Sequence, residues 1–124
     1  MQRLDYTYIL TGLIWLVFGM GFGIWLGISE QFNFANSHAH ANLVGFTIST
    51  LFGLIHAAFP TLRGSRIAGW QFIVYEVGAV MLVAGKMQAD VGGDLTLVKI
   101  GSVVTVAGTL MMLWLFAMRG RDRG

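Results

Sequence analysis

Four apolar runs, each close to the ~20 residues needed to cross a bilayer core, constrain this 124-residue chain more than any other feature. Hydrocarbon offers no partner to a backbone N–H or C=O, so such runs fold as helices or as strands of a closed barrel. Barrel strands are half this length and alternate apolar with polar residues, which these runs do not. The pattern predicts helices at about residues 6–28, 37–59, 68–89 and 95–118. Their connections, SEQFNFAN, PTLRGSRI and DVGGD, are short, so sequential helices are antiparallel neighbours. The expected fold is all-α: a polytopic membrane four-helix bundle, a single transmembrane domain over residues 1–124.

Charged residues make up only 11% of the chain, against roughly 25% in soluble domains. The net charge of +2 comes mainly from terminal and loop arginines, which orientation explains better than nucleic acid. If four helices alternate, Arg3, Arg63, Arg66, Arg119, Arg121 and Arg123 fall on one side. Glu30, Asp90 and Asp94 fall on the other, with Lys86 and Lys99 just inside the membrane. The positive-inside rule then predicts cytoplasmic termini, in a multi-pass protein of a bacterial inner membrane. The first run has full spanning length and no clear cleavage site, so a cleavable signal peptide is not expected. The absence of cysteine excludes thiolate metal sites, c-type haem attachment and disulfides.

Small residues mark expected packing faces. The first helix carries Gly19, Gly23 and Gly27, with Gly21 between them; the second carries Ala41, Gly45, Ser49, Gly53 and Ala57 at four-residue steps. Such stripes let backbones approach closely in lipid. A flat cofactor lying against the glycines is the alternative reading. Trp25, Trp70 and Trp114 lie near predicted helix ends, where an interfacial aromatic belt places them.

The residues able to carry chemistry are few. Imidazoles are costly in hydrocarbon, and the second run holds His38, His40 and His56. Residues two apart differ by ~200° around a helix, so His38 and His40 point to nearly opposite sides and do not easily chelate one ion. They suit two different centres or two neighbouring helices; the plain alternative is a pair of interfacial histidines bonded to water and loop carbonyls. His56 lies 16 positions past His40, a rise of ~24 Å, near the inner end. It reads as a neutral interfacial histidine bonded to a third-helix group, or as part of a proton path with Glu76. Glu76 is the lone carboxylate deep in a predicted span, where the ionised form is expensive. It is expected to be protonated, hydrated or hydrogen-bonded. Lys86, Gln88 and Lys99 share the outer depth of the histidine pair. Both ammonium groups suit either snorkelling or neutralising anionic groups such as haem propionates. Met87 has a suitable depth for a thioether ligand, although methionine in a membrane helix usually packs.

Around these residues the chain resembles subunit I of the haem-copper oxidase superfamily, and most of all its C-type oxidase and nitric oxide reductase branch. The resemblance rests on His38-Ala-His40 followed by Asn42, Leu43, Gly45 and Phe46, with Phe52-Gly53 and Pro60 adding to it. Elsewhere it extends only to helix layout. In that family twelve helices form three arcs of four, and a His-x-His pair serves two different haems. The resemblance implies that His40 ligates a low-spin b-type haem while His38 faces a second centre or a neighbouring subunit's haem. It also implies a homotrimer rebuilding twelve helices, with His38 of one copy and His40 of the next on one iron. The oxidases bind copper through histidines on two consecutive helices of one arc, and the third run here has none. Oxidase activity is therefore not inherited with the likeness.

Three functions follow as expectations. The first is a haem b membrane cytochrome for electron transfer, redox sensing or haem handling, its redox partner unspecified. The second is a small proton or solute transporter using His56 and Glu76. The third is an assembly subunit of a respiratory complex.

Overall fold

A computed structural model describes residues 3–122. Arg123, one of the arginines assigned to the inner side, lies outside the described residues. Four helices form: α1 (Leu4–Ser29), α2 (Phe32–Ala58), α3 (Arg66–Asp90) and α4 (Thr96–Arg119). All are long and apolar enough to span a membrane. The ends follow local chemistry. α1 stops where Glu30 turns left-handed (φ 58°) and returns its N–H to Leu26. The Ser65 hydroxyl accepts the Ile67 N–H at 3.2 Å to cap α3, satisfying a donor that a helix start leaves open.

The second helix begins before residue 37, where the apolar pattern places it. A 3₁₀ turn, Phe32–Phe34, leads into an α segment, Ala35–His40. Phe34 packs on Trp25 and Phe22 with ring centroids 5.7 and 6.1 Å away, which pins that early start against α1.

Glycine sets the helix seams. Gly78, Gly85, Gly101 and Gly108 line the contact between α3 and α4, where an added methyl at Gly108 would meet the Tyr75 backbone at 2.7 Å. Across α1 and α2, Gly12 faces Thr50, Gly19 faces Asn42, Gly45 lies under Trp15, and Gly53 meets Tyr8 and Ile9. α3 joins the two hairpins. Its Gln71 accepts from the Tyr8 hydroxyl of α1 at 2.7 Å and donates to the Gly108 carbonyl of α4 at 3.0 Å. α4 packs along α3 and touches the Pro60–Gly64 turn, with no comparable seam to α1 or α2. The bundle is therefore open along one side.

One departure from regular helix lies inside α2, where residues Ala41–Thr47 form a π-helix. Four-residue steps overshoot an α turn by about 40° each, so a strict stripe of small residues would wander off its face. The wider π turn holds Ala41, Gly45 and Ser49 against the neighbouring helices, and Gly53 follows them into the interior. Past Gly53 regular geometry resumes; His56 becomes buried and Ala57 exposed.

At one end of the bundle, Asp5 pairs with Arg3 at 3.0 Å and Arg63 at 2.9 Å. The Arg119 guanidinium donates to the Thr61 carbonyl at 3.2 Å. These bonds hold Arg3, Arg63 and Arg119 at one end of the bundle, the end away from Glu30, Asp90 and Asp94.

Candidate functional site

His40 is the better-prepared histidine. Its Nδ1 lies 2.8 Å from the Asn36 carbonyl one turn earlier. A carbonyl can only accept, so this contact assigns the proton to Nδ1 and leaves the Nε2 lone pair free. Metal-bound histidines are commonly oriented in this way, through a carbonyl on the non-ligating nitrogen. The ring is half-buried near the start of α2.

His38 turns elsewhere. Its ring lies over Gly23 of α1, where a Cβ would come within 2.8 Å of Cε1, and stands edge-on to Phe22 at 6.0 Å and 85°. The Asn42 amide nitrogen is 3.5 Å from both ring nitrogens, too long for a firm hydrogen bond. Nothing therefore fixes its tautomer strongly. The two rings diverge, as their spacing requires. Among the described residues no group of three or more His, Cys, Asp or Glu could hold a metal ion. A haem needs only one or two axial side chains.

Beside this pair, the Lys86 ammonium sits 2.7 Å from Asp90, whose second carboxylate oxygen accepts from the fully buried Ser37 hydroxyl. This bridge ties the last turn of α3 to the turn that carries His38 and His40. Lys86 is thus anchored to Asp90, and Ser37 and Asp90 are members that sequence reasoning missed. Asp90 four residues after Lys86 was the available signal. Lys99 is exposed on α4, and no hydrogen bond or ion pair links it to the histidines. Met87 is half-buried and borders a groove wall shared with Phe18, Phe22 and Trp25.

Glu76 and His56 occupy separate environments. Glu76 accepts from the Trp15 indole N–H at 3.0 Å and from the Ser49 hydroxyl at 2.5 Å, drawing α1 and α2 onto α3. His56 is fully buried and stacks on Tyr8 at 6.0 Å and 19°. Neither of its ring nitrogens has a hydrogen-bond partner, so the expected bond to a third-helix group is not made. The nearby α3 amide, Gln71, is already engaged by Tyr8 and Gly108. Along α2, Phe52 separates Ser49 from His56 and packs edge-on against Tyr8 at 5.7 Å and Tyr75 at 5.0 Å. No chain of hydrogen bonds joins His56 to Glu76 among the described residues. The Tyr75 hydroxyl instead donates to the Val44 carbonyl within the π segment at 2.7 Å.

No family model, curated protein or solved structure matches this chain.

Proposed function

We propose that this protein is a haem b-binding integral membrane protein with His40 as an axial ligand, serving electron transfer, redox sensing or haem handling. The observation that carries the reading is the Nδ1–carbonyl bond from His40 to Asn36, which leaves Nε2 as a free, oriented donor at the membrane rim. When bound, the haem supplies one-electron chemistry at its iron, and a second imidazole would close the remaining axial position. His38 is the second candidate ligand, directed to another centre or to the haem of an adjacent copy. Gly23 gives that ring its place: any larger side chain there would displace it.

The assembly in this reading is a homotrimer, three four-helix copies making twelve helices, with haem at the subunit boundaries. The arginine-rich face is cytoplasmic by the positive-inside rule, which puts both termini inside and the His38–His40 turn on the outer side of a bacterial inner membrane. Lys86, held by Asp90, and the exposed Lys99 are the cationic groups at that outer depth for propionate charge. Met87 is a reserve thioether. α3 carries no histidine to pair with α2 for copper, so the proposal does not include oxygen reduction.

The test is spectroscopic. Protein purified in detergent from haem-replete cells should show a Soret band and, on reduction, split α and β bands. His40→Ala should abolish them. Colourless protein that stays folded and does not take up added haemin would refute the reading.

A further inference from the structure

At the arginine-rich end, a groove of about 500 Å³ runs between the start of α1 and the first two turns of α3. Its lining includes Leu4 of α1 and Arg66, Gly69, Trp70, Phe72 and Ile73 of α3. Arg66, Trp70 and Ile73 follow at four- and three-residue steps, so they share one face of α3 with Gly69 between them. From Arg66 to Ile73 that face runs about 10 Å inward from the helix end. Trp70 and Ile73 are exposed, and a methyl on Gly69 would meet nothing within 4 Å, so the groove lies open over the glycine. Arg66 is the one charged residue that lines it, and it makes no hydrogen bond or ion pair among the described residues.

We infer that this groove binds one anionic phospholipid, with its phosphate on the Arg66 guanidinium and an acyl chain along Gly69, Phe72 and Ile73. Charge complementarity selects the occupant. Asp5, the acidic residue at the start of α1, already pairs with Arg3 at 3.0 Å and Arg63 at 2.9 Å, so it does not neutralise Arg66. The Thr7 hydroxyl, also on the groove wall, donates to the Arg3 carbonyl at 2.9 Å. The guanidinium therefore remains as the free donor, a planar fork that matches phosphate oxygens. The wall beyond it is apolar and lies at the depth of acyl chains. A free inorganic anion would leave that wall uncovered, and a hydrocarbon chain alone would leave the guanidinium unmatched; a phospholipid meets both. Net charge then separates head groups. Arg3, Arg63, Arg66, Arg119 and Arg121 outnumber Asp5 and Asp122 at this end, which favours a head group without a quaternary ammonium. The site lies at the opposite end of the bundle from the His38–His40 turn and does not rest on haem.

The probe is dioleoyl phosphatidylglycerol, titrated into the detergent-purified full chain and counted by native mass spectrometry, with dioleoyl phosphatidylcholine as the zwitterionic comparison. Saturable retention of phosphatidylglycerol is expected, without comparable retention of phosphatidylcholine. Arg66→Gln should weaken it by roughly fivefold or more, the effect of one basic side chain at an anionic surface. Gly69→Trp keeps the guanidinium, fills the groove and should weaken retention to a similar degree. Arg121→Gln removes the same charge from the same end, outside the groove, and should leave retention unchanged. Equal retention of the two lipids, no saturable retention, or wild-type retention in folded Arg66→Gln or Gly69→Trp would overturn the assignment. An equal loss in Arg121→Gln would overturn it too, by reducing the effect to general surface charge. Displacement of the lipid by equimolar inorganic phosphate would give the site to a free anion. Disulfide cross-linking of Gly69→Cys between copies, with no lipid retained by the wild type, would give it to a second copy of this chain.

Discussion

Replacing Gly101 by alanine should loosen the seam between α3 and α4. The added methyl would lie 2.5 Å from the Leu82 backbone nitrogen and 2.7 Å from the Met81 carbonyl carbon. Those are backbone atoms of the facing helix, and no rotamer change moves them. Restoring ordinary contact requires the helices to part by about 1 Å here, at the expense of the close approaches at Gly78, Gly85 and Gly108. Overpacking of this kind costs roughly 1–3 kcal/mol, and alanine's helix propensity returns at most ~1. With that full return the net runs from about zero to a destabilisation of about 2 kcal/mol, the upper end a factor of about 30 in the folding equilibrium. Gly69→Ala is the matched control, because a methyl there meets nothing within 4 Å; it should be neutral or stabilising by up to ~1 kcal/mol. Reversible unfolding in mixed micelles, followed by tryptophan fluorescence, measures both. If the two substitutions shift the midpoint alike, the seam is not where the structure puts it.

Two further outcomes test individual side chains. Gly23→Val should push the His38 ring from its seat over α1, altering the haem spectrum if His38 is a ligand and lowering stability by roughly 1–3 kcal/mol; an unchanged spectrum together with unchanged stability would show that the ring does not rest there. His56→Phe keeps the stack on Tyr8 and removes two unsatisfied ring nitrogens, each kind of orphan costing about 1–3 kcal/mol, so it should stabilise the fold on the order of 1 kcal/mol in the same micelle assay; a loss of that size would mean His56 has a partner such as a buried water.

Much of the architecture was readable in advance because the bilayer makes length and polarity decisive. Four spans, the arginine-rich end, the exposed Trp25, Trp70 and Trp114 and the contact positions Gly19, Gly23, Gly45 and Gly53 follow from residue type and position; Gly21 and Gly27, expected on the same packing face, meet nothing within 4 Å, and the glycine seam between α3 and α4 was not anticipated. The π segment was not readable. The four-residue repeat from Ala41 to Gly53 is compatible with a drifting α-helix; the backbone of Ala41–Thr47 shows where the turn widens, and there Gly45 lies under Trp15 and the Val44 carbonyl accepts from the Tyr75 hydroxyl. Divergence of His38 and His40 was visible from helical geometry, whereas the carbonyl that orients His40 depends on its rotamer. Glu76 stood out as a mid-span carboxylate, but its donors come from 61 and 27 residues away, contacts that no local pattern encodes. His56 was expected to find a bond on α3. That bond is absent: both ring nitrogens are without a partner, and the Gln71 amide of α3 instead bonds Tyr8 and Gly108.

The central claim is that the His40 Nε2 holds a haem iron, and quantifying haem per chain by the pyridine haemochrome method tests it most directly. The account predicts a b-type haemochrome near stoichiometric with the chains that share it, lost in His40→Ala while that variant keeps its unfolding midpoint. A folded wild-type protein with no haemochrome, or a His40→Ala variant with full haem content, would contradict it.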